Sequence, residues 1–286
     1  MATVSTKSIE AQALGEAMDV ALQSRAIDLP VLPEASTKII RLCDDPECEP
    51  KDLADLVRTD QALMAHLLRV VNSAGEGSAV PIVSLQFAVN RLGLIRIKMI
   101  TLSIACKSSV FNNDSFRGVV RRLFRHAVAT SVCAQEVARL KRMNVEQAFT
   151  AGLLHDVGRP ILLQLATNHI KNAGIELEPE EIFEVIHERH EFAGAQLAES
   201  WSLPDCLVAA IQHHHEPTKA GEHERLARCV RFADQLADHL LGVGGALTER
   251  AIHAHPDLAP LNLYPDDVET LLSMKDTIRD SVGALL

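Results

Sequence analysis

AGLLHDVGRP, residues 151–160, places an imidazole and a carboxylate, His155 and Asp156, directly behind an apolar helical turn (Leu153, Leu154). It then presents Gly158 and Pro160, which read as the stop of that helix. An adjacent His-Asp pair behind apolar side chains is buried or nearly so. Groups of this kind are costly to hide unless they bond to each other or to a metal. The rest of the chain decides between these.

Immediately upstream, Asn144 and Gln147 read as a capping box opening the helix that ends in His155-Asp156. The pattern from about Asp114 to Leu140 predicts one long helix carrying His126. Everything earlier reads as short helices. The first is amphipathic, from about Ser8 to Ala26. The next has Pro33 in its first turn and Ile39, Ile40 and Leu42 on one side, and is ended by Asp44-Asp45-Pro46. KDLADLVRTD and DQALMAHLLRVVNSAG follow, with Asp60 as N-cap and Leu63, Leu67, Val70 and Val71 as the buried stripe. A loop with Gly75, Gly77 and Pro81 leads to SLQFAVNRLG, capped by Ser84 and stopped by Gly93. The nearly all-apolar stretch Leu94 to Ala105 then has to lie inside.

Downstream, Pro179 to His190 and Glu191 to Trp201 are predicted helical, and Pro204 opens PDCLVAAIQHHH, which closes at Glu216-Pro217. About Glu224 to Leu241 is amphipathic, with Asp234 close to its apolar side; GVGGA is a joint, and a last helix or two begins near Pro265. No useful strand-like alternation occurs, so the expected fold class is all-α, a multi-helix bundle.

The 286 residues are 47% hydrophobic but 3% aromatic, which calls for a core of Leu, Ile, Val and Ala. Net charge is −10, so general nucleic-acid binding is not expected. Arg117, Arg121, Arg122 and Arg125 on one predicted helix read as a solvated face. The amino terminus lacks the apolar core of a signal peptide and no apolar run is long enough to span a bilayer; a cytoplasmic protein with no membrane partner is expected. Six scattered cysteines fit that compartment as free thiols.

Seven polar residues fall at the ends or inner faces of separate predicted helices: His126, His155, Asp156, His190, His214, His215 and Asp234. Imidazoles and carboxylates from several helices meeting inside a bundle are how helical proteins build metal sites. Mixed N/O ligation suits Mn, Fe, Co, Ni or Zn, and a carboxylate such as Asp156 can bridge two ions. Taken singly, any of the thirteen histidines is more often a core or surface residue than a ligand.

The order H…HD…D, at His126, His155-Asp156 and Asp234, resembles the HD superfamily of metal-dependent phosphohydrolases. His190 with Gly194 and Leu197, then His214-His215-Glu216, is similar to the extra ligand positions of its HD-GYP branch, which hydrolyses cyclic di-GMP. LPVLPEASTKIIRL, CDDPE, LLRVVNSA, AVNRLGL, AGLLHDVGRPILLQL, ERHEFAGAQLAESWSLP and the HHHEP turn resemble HDOD domains, the HD-related output domains of bacterial signalling proteins, over about Leu29 to Ala237. The resemblance implies an amino-terminal helical subdomain (29–110) packed on an HD-like one (111–237); it does not cover 1–28 and 238–286, which are expected as a helical extension and a helical tail.

It also implies a non-catalytic regulatory or scaffolding module acting through other signalling proteins, which is the expected function. The alternative it implies is a phosphohydrolase on a cyclic or other nucleotide messenger. In that case His126, His155, Asp156 and Asp234 would bind one ion and His190 with His214 or His215 a second, and Asp156 and Arg159 would be the candidate catalytic groups. Two departures matter. Glu216 is followed by Pro217-Thr218-Lys219 and not by a Gly-Tyr-Pro loop, and the lysine expected after HDxG is Arg159.

Overall fold

A computed structural model describes residues 8–73, 82–112 and 116–285. Among them the fold is all-α, with no strand. The first half contains α1 (Ile9–Gln23), α2 (Glu34–Cys43), α3 (Pro50–Val57), α4 (Gln61–Ser73) and α5 (Leu85–Ser109). Next come α6 (Arg117–Leu140), α7 (Val145–Leu154), α8 (Gly158–Ala173), α9 (Pro179–His187), α10 (His190–Ser200) and α11 (Asp205–Gln212). A 3-10 turn at Pro217–His223 leads into α12 (Glu224–Leu241). The chain closes with α13 (Glu249–His253), α14 (Leu258–Leu261), α15 (Pro265–Leu272) and α16 (Lys275–Leu285).

Asp60, Ser84 and Asn144 cap their helices as expected, and Ser8 adds a cap at the start of α1. Ser8 accepts from the Ala11 N–H, Asp60 from Leu63, Ser84 from Phe87 and Asn144 from Gln147, each satisfying one of the orphan donors of a first turn. Several boundaries differ from expectation. Pro33 precedes α2 instead of lying in its first turn. Gly93, by contrast, breaks the helix as expected: at φ 74° and ψ 161° it is non-helical, a conformation open to glycine, and α5 is two helices that meet at a kink there. Beyond it the apolar stretch is mostly buried, but Ile95 is 57% exposed. α6 begins at Arg117, and α9 stops at His187, leaving Glu188 and Arg189 as the break before α10. α13 and α14 had no sequence signal strong enough to place them. The expected loop at Gly75, Gly77 and Pro81 lies outside the described residues.

The core is aliphatic, as the composition requires, with Phe124 and Phe232 among its largest fully buried members. One continuous buried cluster includes Leu14 and Met18 of α1, Ile39 of α2, Leu153 of α7, Leu236 of α12 and Leu271 of α15. The helices at both chain ends therefore share the core of the central bundle. α6 packs along α7 and α12, and α8 along α10, which sets the ends of these helices around one point. Among the described residues no helix is long and apolar enough to cross a membrane.

Candidate metal centre

α7 ends at Leu154, His155 takes its C-cap, and only Asp156 and Val157 separate it from α8. Gly158 and Pro160 thus open a helix instead of stopping one. Proline is tolerated in a first turn, where its missing N–H would have no partner anyway. Glycine is required at 158 by packing: a Cβ there would meet the His190 carbonyl oxygen at 2.0 Å. α8 and α10 touch backbone to backbone, and that contact sets His190 against Asp156, with Nε2 3.1 Å from Oδ1.

The seven residues singled out in the sequence come together. His126 Nε2 lies 2.8 Å from Asp234 Oδ1, which is 3.6 Å from His155 Nε2. His155 Nε2 is 3.7 Å from Asp156 Oδ2, and Asp156 Oδ1 is 3.8 Å from His214 Nε2. His190 Nε2 closes the set at 3.4 Å from His214 Nε2 and 3.2 Å from His215 Nε2. Three groupings have donor atoms within 4.8 Å of one another: His126–His155–Asp234, His155–Asp156–His214 and His187–His190–His215.

The tautomers decide what these atoms can accept. Nδ1 of His155, His190 and His214 donates to the carbonyls of Gly152, His187 and Ile211 at 2.8, 2.7 and 2.8 Å. Each ring therefore turns an Nε2 lone pair inward, the arrangement that backbone carbonyls impose on metal-ligating histidines. The lone pairs of His190 and His214 face each other and repel unless an electrophile lies between them. His155 Nε2 and Asp156 Oδ1 are buried without a well-formed hydrogen bond, their nearest polar neighbours being Asp234 Oδ1 at 3.6 Å and His190 Nε2 at 3.1 Å, a rare condition in a folded interior. The donor set fits a divalent cation, or two with Asp156 between them.

Electrostatics agree with a site prepared for positive charge. Burial opposes the ionised form of Asp156, but the neighbouring His155, Arg159 and His190 override it and hold the carboxyl well below its usual range. Asp234 is likewise held down against burial by the His126 and His155 contacts. Burial, reinforced by His155 and His215, pushes His214 well below the ordinary imidazole value, and burial beside His190 takes His215 down to about 4. His126 moves the other way: despite burial, its bonds to Asp234 and Asp238 raise it to about 10.

Arg159 stands at the rim, its Nε 2.7 Å from Asp156 Oδ2 and its Nη2 3.3 Å from His187 Nδ1. His190 and His214 form a dry floor at 0% side-chain exposure, whereas Asp234 is 16% and Arg159 23% exposed. Three neighbours escaped the sequence reading. His187 stands three residues before His190, Asp238 four after Asp234 with Oδ1 3.1 Å from His126 Nδ1, and Glu191 accepts from the His215 N–H at 3.1 Å. The i, i+3 and i, i+4 spacings were the available signal, but they are equally those of solvated helix faces.

An uncharacterized protein of Treponema pallidum (strain Nichols) is 27% identical over 245 residues, 82% of this chain and 47% of that protein. The chain thus spans about half the length of this curated relative. A candidate metal-dependent phosphohydrolase from Shewanella amazonensis SB2B superposes with a TM-score of 0.76 at 21% identity, covering 95% of this chain and 99% of the other. An HDOD domain protein of unknown function from Geobacter sulfurreducens gives 0.69 at 22%, covering 97% and 98%. A candidate signal transduction protein from Marinobacter aquaeolei VT8 gives 0.68 at 24%, covering 96% and 66%. These likenesses establish a shared fold. The profile of the HDOD domain matches residues 29–217, well over half of the sequence, and the chain belongs to the HDOD family.

Proposed function

We propose that this chain is a signal-transduction protein whose HDOD domain holds divalent transition-metal ions and hydrolyses a phosphate ester of a nucleotide. The observation that carries the reading is the pair of buried acceptors without a well-formed hydrogen bond, His155 Nε2 and Asp156 Oδ1, beside the facing Nε2 atoms of His190 and His214. These four groups would be satisfied by a bound cation. His126, His155 and Asp234 would hold one ion and His190, His214 and His215 a second, with Asp156 shared. When bound, such ions polarise a phosphoryl oxygen and bring water towards ionisation near neutral pH.

The protein's own groups do the rest. Asp156 fixes the Arg159 guanidinium at the rim, where it can neutralise a non-bridging phosphate oxygen. The buried floor excludes water behind the reacting centre, and the exposed edge at Asp234 and Arg159 leaves an approach. The Shewanella candidate phosphohydrolase and the Marinobacter candidate signalling protein, alike in fold, support the two halves of the reading. The Pro217-Thr218-Lys219 sequence after Glu216 argues for a substrate other than a cyclic dinucleotide.

Chelator-stripped protein reloaded with Mn²⁺ should turn over bis(p-nitrophenyl) phosphate, guanosine polyphosphates or nucleoside triphosphates, and Asp156→Ala should lower that rate by roughly 10²-fold or more. Metal-loaded protein inert towards all of them, and towards cyclic dinucleotides, would overturn the hydrolase half.

One observation favours a protein-interaction reading instead: Val83, Phe87 and Ile95, at and along the first half of α5, are 83%, 55% and 57% exposed. Under that reading the metal centre holds the bundle together while this face meets a partner. Phe87→Ser with Ile95→Ser would then abolish partner capture and leave metal content unchanged.

A further inference from the structure

The candidate ligands are aimed in different ways. His155, His190 and His214 are fixed by ring bonds to backbone carbonyls, and His126 by Asp238. His215 has no comparable anchor on its Nδ1 among the described residues, and its backbone is held at both ends. Its N–H donates to Glu191 Oε1 at 3.1 Å, and its carbonyl accepts from Arg231 Nη1 at 3.5 Å. With Nδ1 unanchored, the placing of the His215 backbone governs whether its ring can bring Nε2 to within 3.2 Å of His190 Nε2. The group that fixes Arg231 therefore helps to fix His215.

That group is Asp257, in the turn between α13 and α14 and outside the matched HDOD region. It is completely buried and takes Arg231 as a fork, from Nε at 2.7 Å and Nη2 at 2.6 Å. Arg228 Nη1 reaches the same carboxylate at 2.6 Å. His255 steadies the turn, its Nδ1 accepting from the Asp257 N–H at 3.1 Å and its Nε2 lying 3.0 Å from Gln235 Oε1. The fork leaves one guanidinium nitrogen of Arg231 for the His215 carbonyl, and planar bidentate pairing holds it there. Arg228 shares Asp257 and also bonds Glu224, but neither of these bonds reaches a candidate ligand.

We infer that Asp257 is a positioning residue for the candidate metal centre: by locking Arg231 it sets His215, so the segment after α12 completes the ion position at His190 and His215. The inference rests on the metal reading above. Outer-shell partners of this kind change metal affinity by roughly 10–100-fold when removed.

The test is calorimetric titration of the chelator-stripped full chain with Mn²⁺, for wild type, His215→Ala, Arg231→Lys, Arg228→Lys and Asp257→Asn. His215→Ala identifies the binding step that depends on His215. Arg231→Lys should weaken that same step about tenfold or more while leaving the other within about twofold, and Arg228→Lys should leave both within about twofold. Asp257→Asn should repeat the Arg231→Lys pattern, which keeps the test decisive if one variant folds poorly. Two steps in the wild type with Arg231→Lys and Arg228→Lys equally weakened, or equally unchanged, would overturn this inference alone. A wild type that takes up no Mn²⁺ would overturn the metal reading and this inference with it.

Discussion

Asp156 carries more of the site than any other side chain, because its two oxygens face different partners. Oδ2 meets Arg159 and His155, and Oδ1 meets His190 and His214. Arg159 acts from the opposite side of the same carboxylate. Arg159→Ala should lower phosphoesterase turnover by roughly 10²-fold, the usual cost of removing one charge-stabilising donor, while metal content stays at the wild-type level. Parallel loss of metal and activity would show that Arg159 merely holds Asp156 in place. Gly158 is the other decisive residue. A methyl group at 158 has to push α10 away, so Gly158→Ala should destabilise the fold by about 1–3 kcal/mol in denaturant titrations and weaken metal binding through His190. Unchanged stability would mean that α8 and α10 do not meet as described.

At the scale of elements, helix existence was legible and helix context was not. Asn144 and Ser84 announced their helices because cap chemistry is local, and α12 was placed at its observed limits because its apolar period is strong. Gly158 and Pro160 open α8 although the sequence suggests a stop, because both residues punctuate helices from either side. Only the distant His190 carbonyl reveals which side applies. Convergence of the seven site residues was beyond spacing alone and came from the HD and HDOD resemblance. His187, Asp238 and Glu191, without a motif, stayed hidden among surface polar residues.

The ligand-bearing elements also set a pH response of the metal-free chain. His215, lowered to about 4 from 6.5, and His214, lowered as well, bind fewer protons folded than unfolded on the acid side. Their contribution is complete above about pH 6.5 and is lost as pH falls towards 4. His126, raised to about 10, contributes below pH 6.5 and loses that contribution as pH rises towards 10. Thermal unfolding of the stripped protein should therefore be highest near pH 6.5 and fall on both sides. Added Mn²⁺ should raise the melting temperature more at pH 8 than at pH 6, because protons compete for the same nitrogens. A monotonic rise of metal-free stability from pH 6.5 to 10 would contradict the His126 contacts.

Over the whole molecule, the helices outside the matched HDOD region are built into the site's support. α1 reaches it through Asp19, whose carboxylate takes Arg189 Nε and Nη2 at 2.8 and 2.9 Å, one residue before His190. The carboxyl-terminal helices reach it through Asp257. Asp19→Ala should cost about 1–2 kcal/mol of stability, as expected for lost bonds to a charged group, and loosen α1 from α9 and α10 in hydrogen exchange. Unaltered exchange in α1 would detach it from this role. All of these roles require the His-Asp cluster to be a metal centre. Elemental analysis of purified, untagged protein beside Asp156→Ala tests it directly. One or two equivalents of Fe, Mn, Co, Ni or Zn in the wild type, lost in the variant, is the predicted result. Metal-free protein in both, with unchanged stability after incubation with each ion, would contradict it.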